Sequence, residues 1–194
     1  HNGWIIKSND LVISTDILLD YDKRIKKPTI SENELAQILD ISFVTHSHKD
    51  HFARSVSKVL IKESDCIFVI PESCLEIAKE LKIPINRIKI AVPRQKFQIL
   101  GVDVTPIRAI HGNADFAIYF KANLKDCGYL IEIDGKRFLQ PGDSFLLEDH
   151  LFLEDIDVLF FSPTEHNMHI KNSLTLINRL EPKYILPQHH STVE

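Results

Sequence analysis

The sequence is poor in the residues that build disulfide frameworks, membrane spans and low-complexity chains. It has only 3 Cys, 6 Gly and 9 Pro among 194 residues, and no apolar run approaches the about 18 residues of a membrane helix. Three cysteines cannot all pair, so we expect free thiols, a reducing compartment and a cytoplasmic location. We expect no membrane partner.

The signatures of phosphate-rich ligands are missing as well. The chain contains neither a GxGxxG nor a GxxxxGK[ST] segment, so no nucleotide-binding loop is predicted. Its formal net charge of −4 argues against a dedicated nucleic-acid binder, which normally carries a basic stripe. The expected partner is therefore a small-molecule substrate, and the sequence carries no signal for oligomeric state.

The chain does contain a regular alternation of strand-like and helix-like segments. With 44% hydrophobic residues and no linker, it predicts one domain over residues 1–194, and a start at His1 rather than Met is compatible with an incomplete N-terminus. Such an alternation is typical of a mixed α/β domain. The predicted helices are 32–39, 52–62, 72–81 and 172–180, and the predicted strands are 4–7, 11–15, 41–45, 66–70, 87–91, 96–100, 102–110, 117–121, 128–133, 136–139, 158–161 and 184–186.

Two short motifs predict the ends of elements. Ser31 is followed three residues later by Glu34, which predicts a capping box at the start of the first helix. Asp134-Gly135 lies between two strand-like segments and predicts a two-residue hairpin turn.

Histidine is in excess, with ten copies against one Met and one Trp. The densest group is Thr45-His46-Ser47-His48-Lys49-Asp50-His51, between a predicted strand and a predicted helix. If this segment is extended, alternate residues such as His46 and His48 point the same way, and Asp50 and His51 can serve a second position. Imidazole and carboxylate donors suit zinc, iron or manganese, so the group predicts a metal site. The competing interpretation is a solvated polar loop.

Residues 46–51 resemble the HxHxDH signature of the metallo-β-lactamase fold superfamily. Counterparts of that superfamily's other motifs follow predicted strands, in the expected order: Asp16 as the early structural Asp, His111 as the third His, Asp143 in Gly142-Asp143-Ser144 as the bridging carboxylate, and His189 in Pro187-Gln188-His189 as the closing P-x-H. The resemblance covers nearly the whole chain. It implies an α/β (α+β) fold, a four-layer αββα sandwich of the metallo-β-lactamase type.

Two segments resemble one branch of that superfamily, the proteins similar to ascorbate-6-phosphate lactonase. These are residues 1–6, and Gly128–Glu132 followed by Gly142-Asp143-Ser144. The chain departs from the branch at Ile17, where Pro is frequent, and at Pro141, where His or Ala is common. These departures concern the substrate more than the metal.

The resemblance implies a metal-dependent hydrolase with two divalent ions, zinc first, with manganese or iron as alternatives. The implied ligands are His46, His48 and His111 for metal one, Asp50, His51 and His189 for metal two, and Asp143 as the bridge. A hydroxide shared by the metals would attack a small ester, lactone or phosphodiester. Asp50 would orient this nucleophile and accept its proton.

Two other functions stay open. One is an iron-dependent redox member of the superfamily, an oxygenase or oxygen reductase, although di-iron flavoproteins tend to carry Glu where this chain has His48. The other is a non-catalytic binding module that retains the fold.

The remaining histidines have competing interpretations. His166, in the loop after the strand 158–161, is expected either to contact substrate or to be a surface-loop residue. His190 competes with His189 as a ligand, and the P-x-H spacing favours His189. His150 is expected to be a solvated surface residue. The loops 21–31, 112–116 and 162–171 would select the substrate, and the basic run 23–27 would help to attract an anionic one.

Overall fold

A computed structural model describes residues 3–21, 27–111, 124–162, 164 and 167–189. The chain forms two compact units, residues 1–90 with 190–194, and residues 91–189. Each contains one sheet with helices, which confirms the mixed α/β class. The interpretation of residues 1–194 as a single domain stays a prediction.

In the first unit, the described strands form a sheet of order β1-β2-β3-β4-β5. β1 and β2 are an antiparallel hairpin, whereas β2, β3 and β4 run parallel. Because parallel strands end at the same edge of a sheet, the segments that follow β2 and β3 are neighbours. The strands are β1 (Trp4–Lys7), β2 (Val12–Thr15), β3 (Ile41–Phe43), β4 (Ile67–Pro71) and β5 (Ile88–Ala91).

Three helices accompany this sheet: α1 (Glu32–Ala36), α2 (Arg54–Glu63) and α3 (Leu75–Glu80). The capping box is confirmed, since the Glu34 N–H donates to Ser31 Oγ at 3.2 Å and the Ser31 N–H donates to Glu34 Oε2 at 2.8 Å. α2 buries Val56 and Leu60 in a core that also contains Phe68. The packing of α2 therefore sets the position of the loop before it.

In the second unit, the described strands form a sheet of order β11-β10-β9-β8-β7-β6. β6 to β9 are antiparallel neighbours, and β9, β10 and β11 run parallel. The hairpin turn at Asp134-Gly135 is confirmed, with φ of 50° and 67° as a type I′ turn requires. The strands are β6 (Phe97–Ile99), β7 (Val102–Arg108), β8 (Cys127–Ile133), β9 (Lys136–Gln140), β10 (Val158–Phe161) and β11 (Tyr184–Pro187).

Two helices belong to this unit, α4 (Glu148–Leu151) and α5 (His169–Leu180). α4 was not predicted, because four residues are too few to show a helical period. α5 begins three residues before the predicted start. The predicted strand 117–121 lies outside the described residues. None of the helices within the described ranges is long and apolar enough to cross a membrane.

Candidate metal centre

The first unit gathers four of the predicted ligands in the loop between β3 and α2. The backbone turns at His48, whose carbonyl accepts from the His51 N–H at 3.0 Å and the Phe52 N–H at 2.7 Å. The His46 ring lies with its centroid 4.6 Å from that of His48 and 4.0 Å from that of His51. The segment is thus a turn rather than an extended strand, and it still brings the three imidazoles together.

Pairs of donor atoms in this loop are close enough to share an ion. One possible ligand atom of His46 lies within 4.8 Å of one of His48, and the same holds for His46 with His51 and for Asp50 with His51. Two nitrogen ligands of a tetrahedral zinc ion, each about 2.1 Å from it, are about 3.4 Å apart. Small side-chain rotations would therefore bring these donors into coordination range, so the donor set fits a divalent ion.

Asp16 holds this loop from the neighbouring strand β2. Its carboxylate accepts from the Thr45 N–H at 2.8 Å and from the Thr45 hydroxyl at 2.9 Å, and it lies 3.0 Å from His51 Nδ1. Asp16 is fully buried and has a φ of 45°, a left-handed conformation that Asp tolerates better than most residues. These three contacts stabilise that conformation. Asp16 therefore connects the end of β2 to the ligand loop.

The same contacts select the tautomers of two ligands. A carboxylate only accepts hydrogen bonds, so Nδ1 of His51 carries the proton that faces Asp16. The single Thr45 hydroxyl proton also goes to Asp16, so Thr45 Oγ1 accepts from Nδ1 of His46 at 3.0 Å. In the neutral form of each ring Nε2 is then the unprotonated nitrogen that a metal requires. Sequence reasoning identified Asp16 only by resemblance and did not find this role for Thr45.

The second unit contains the other three predicted ligands, and two of them, His111 and His189, lie beside Asp143. His189 Nε2 lies 2.9 Å from Asp143 Oδ1, and His111 Nε2 lies 3.8 Å from Asp143 Oδ2. Each carboxylate oxygen of Asp143 thus faces a different histidine. Asp143 is 3% exposed, so this carboxylate is almost fully removed from water.

Ser144 joins the loops that carry His111 and Asp143. Its hydroxyl accepts from the Ile110 N–H at 3.0 Å and donates to the Phe145 carbonyl at 2.8 Å. The Phe145 N–H in turn donates to the Ile110 carbonyl at 3.1 Å. The segment after β7 and the segment after β9 therefore keep a defined separation. This is a structural role for the third residue of Gly142-Asp143-Ser144.

A second clamp acts on the end of β7. Asp149 of α4 accepts from Nε and Nη2 of Arg108 at 3.0 and 2.6 Å, and from Arg94 Nη2 at 2.6 Å. The guanidinium groups of Arg94, which has the larger effect, and Arg108 hold the pKa of the Asp149 carboxyl well below its usual range. The end of β7, from which the chain continues to His111, is thereby fixed to α4.

The prediction for His150 was wrong. Its side chain is fully buried, and its Nδ1 accepts from the Leu147 N–H at 2.9 Å. Burial, the largest cause, lowers the pKa of this imidazole to about 4. The acidic neighbours Glu148 and Asp149 suggested a solvated turn, but the arginines that neutralise Asp149 come from distant segments. His166, His190 and His1 lie outside the described residues.

The cysteines lie away from this chemistry. None of the three forms a disulfide, and all are buried. Burial raises the pKa of the Cys66 and Cys127 thiols to about 12, so neither is an available thiolate at neutral pH.

Comparison with known proteins gives concordant results. Residues 1–189 match the family model described as "Beta-lactamase superfamily domain". A UPF0173 metal-dependent hydrolase of Carboxydothermus hydrogenoformans is 26% identical over 198 residues, covering 99% of this chain and 82% of the relative. Igni18, a metallo hydrolase from the archaeon Ignicoccus hospitalis, superposes with a TM-score of 0.75 at 19% identity, covering 100% of this chain and 81% of that one.

A further solved structure with the same fold has a different chemistry. CmlA, a diiron beta-hydroxylase from Streptomyces venezuelae, superposes with a TM-score of 0.72 at 14% identity, over 96% of this chain and 43% of that one. At such identities the likeness concerns the fold alone.

The match over residues 1–189 confirms the resemblance carried by the His and Asp motifs, and the chain belongs to the beta-lactamase superfamily.

Proposed function

We propose that this chain is a metal-dependent hydrolase that uses two divalent ions to cleave a small ester, lactone or phosphodiester. The observation that carries the proposal is the tautomer selection in the first unit, where Asp16 and Thr45 leave Nε2 of His46 and His51 unprotonated. Such hydrogen bonding of imidazoles is characteristic of metal ligands, whereas a solvated loop needs no tautomer control. The relatives are named metal-dependent hydrolases, which supports the same function.

The proposed ligand set is the one that the family resemblance implies. His46, His48 and His111 would hold one ion, Asp50, His51 and His189 the other, and Asp143 would bridge them. Zinc is the first expectation, and manganese or iron also suit these donors. When bound, the ions would supply Lewis-acid activation of a water molecule and of the scissile bond.

Asp50 is the proposed proton acceptor. Its side chain is 26% exposed, against 3% for Asp143, so Asp50 alone of the two can exchange protons with solvent or substrate. Its Oδ2 also lies 3.8 Å from His51 Nε2, which keeps the carboxylate beside the ligand cluster. Asp50 would orient the attacking water, take up its proton and pass it to the leaving group.

Metal analysis followed by a substrate screen tests this proposal. The purified protein is expected to contain about two equivalents of divalent metal, and to hydrolyse a member of a panel of esters, lactones, phosphodiesters and thioesters. The Asp50→Ala protein should lose the activity, and the His46→Ala/His48→Ala double variant should lose both metal and activity. A double variant that kept both would contradict the proposal.

An iron-dependent oxygenase or oxygen reductase is the second candidate, and the fold shared with CmlA favours it. His48 argues against a di-iron flavoprotein, because those proteins tend to have Glu at the position of His48. Predominant iron with oxygen uptake in the same preparations would support this candidate over hydrolysis.

The proposal includes a reducing, cytoplasmic setting. It is supported by three buried cysteines, none of which forms a disulfide.

A further inference from the structure

A cavity of about 340 Å³ opens in the first unit beside Asp50. Its wall includes Leu18, Tyr21, Lys49, Asp50 and Arg54. Pockets for small ligands begin at about 300 Å³, so this cavity can receive one end of a small substrate. A group bound there would lie directly next to the proposed proton acceptor.

Two cations, Lys49 and Arg54, and two carboxylates, Asp20 and Asp50, line this cavity, and when the proposed metal ions offset the charge of Asp50 the remaining charges favour an anion. Lys49 forms no ion pair with any residue in the described part of the chain, so its ammonium group is available to a ligand. Arg54 has one nitrogen, Nη2, 3.0 Å from Glu80 Oε2, which leaves its other donors. Asp20 lines the same cavity and opposes them, and because all three residues are exposed, water and salt screen the charge of each.

The start of α2 adds to this preference. The first N–H groups of a helix have no acceptor within the helix, and the positive end of the helix dipole lies there. Helices usually place acidic residues in this turn, but α2 has none, begins with Arg54 and has no side-chain cap from Ala53. A cation at this end opposes the helix dipole, so Arg54 does not stabilise α2 by its charge and its position suits an anionic ligand instead.

We propose that this cavity binds an anionic group of the substrate, a carboxylate or a phosphate, and that Lys49 is the specificity-determining residue. The inference rests on the proposed function, because Asp50 then faces the bond that is cleaved. Leu18 and Ala53 supply an apolar wall for the carbon chain between the anionic group and that bond. The preferred substrates are therefore anionic esters, lactones or phosphodiesters rather than neutral ones.

Binding of matched probes to the metal-loaded protein tests this inference without turnover. The probes are N-methylsuccinamate (a carboxylate), methyl phosphate, and the neutral N,N′-dimethylsuccinamide, with dissociation constants measured by isothermal titration calorimetry. The variants are Lys49→Met, Lys49→Arg and the control Lys58→Met, which removes an equal charge from an exposed position of α2 outside the cavity wall. Hydrolysis of monomethyl succinate and dimethyl succinate is measured in parallel.

We expect at least one anionic probe to bind more tightly than the neutral one. Lys49→Met should weaken the binding of that probe by about threefold to tenfold, as expected for the loss of one partly solvated charge contact, and should leave the binding of the neutral probe unchanged. Lys49→Arg and Lys58→Met should retain most of the preference. The anionic probe whose binding depends more on Lys49 identifies the anionic group of the substrate as a carboxylate or as a phosphate.

Three results would overturn the inference: no binding of either anionic probe, a preference unaffected by Lys49→Met, or an equal loss in Lys58→Met. The second result would assign anion binding to the metals, and the third to the overall charge of the protein. A Lys49-dependent preference without hydrolysis of any ester would refute the proposed function and leave the anion site standing. A wild-type protein that hydrolyses an ester but binds neither anionic probe more tightly than the neutral one would do the reverse.

Discussion

His150 should make this protein less stable in mild acid. The imidazole is fully buried in α4, and the Leu147 N–H already donates to its Nδ1. The neutral ring therefore carries its proton on Nε2, and acid would have to place a second proton on Nδ1, facing another donor. Desolvation of the buried cation is the largest cause of the fall in the pKa of His150 from 6.5 to about 4.

The size of the effect follows from linkage. The unfolded chain binds a proton near pH 6.5 and the folded chain only near pH 4, so stability from this group is complete above pH 7 and is lost as the pH falls through this window. The loss is about 2 kcal/mol at pH 5 and about 3 kcal/mol at pH 4. The buried carboxylates Asp149 and Asp157 have lowered pKa values, so their contributions are lost only below about pH 4.

The assay compares urea unfolding of the wild-type and His150→Asn proteins between pH 7.5 and 4.5, with a chelator present in both series. Asn can still accept from the Leu147 N–H, so the substitution keeps this hydrogen bond while removing the titrating imidazole. It also leaves a small cavity, whose cost in unfolding free energy does not depend on pH. The wild-type advantage at pH 7.5 should therefore shrink by about 2 kcal/mol at pH 5. A difference that stays constant with pH, at equal m-values, would refute the reasoning.

Three further predictions concern the metal ligands and the backbone that supports them. Asp16→Asn should weaken zinc affinity by about tenfold to one hundredfold, since it disturbs the tautomer of His51. Competition with a chromogenic chelator would measure the affinity, and an unchanged value would contradict the role of Asp16. Chelation should abolish hydrolysis and added zinc should restore it, whereas activity that survives exhaustive chelation speaks against a metal-dependent reaction. Gly128→Ala should destabilise the protein by more than about 2 kcal/mol, because its Cβ would lie 2.8 Å from the backbone oxygens of Gln140 and Pro141. Gly101→Ala, with open space around it but a φ of 82°, should cost only about 1 kcal/mol, and equal losses in urea would show that the contacts at Gly128 are not decisive.

The loop that brings His46, His48, Asp50 and His51 together was predictable because its information is local. The histidines and Asp50 are adjacent in sequence, and a strand before them and a helix after them place them in one turn. The capping box at Ser31 and the turn at Asp134-Gly135 were predictable for the same reason, since each depends on residues at most three apart.

His150 shows why other features were not predictable. Its neighbours Glu148 and Asp149 are acidic, a composition typical of an exposed turn. His150 is nevertheless the buried residue of α4, and its neighbour Asp149 is neutralised by Arg94 and Arg108, which are 55 and 41 residues away from Asp149. The anion-binding cavity was not predictable for the same reason. Leu18 and Lys49 line one wall only after β2 and β3 have paired.

The sequence by itself determined the chemistry of the donors: imidazoles and carboxylates in a spacing that suits divalent metals, without thiolates. Only the tertiary structure decided which nitrogen of His46 and His51 is available, because Asp16 reaches them from a different strand. The physical reason is that donor type belongs to each side chain, whereas protonation and exposure depend on the partners that surround it. Parallel pairing of β2 with β3 supplies those partners from 29 residues away.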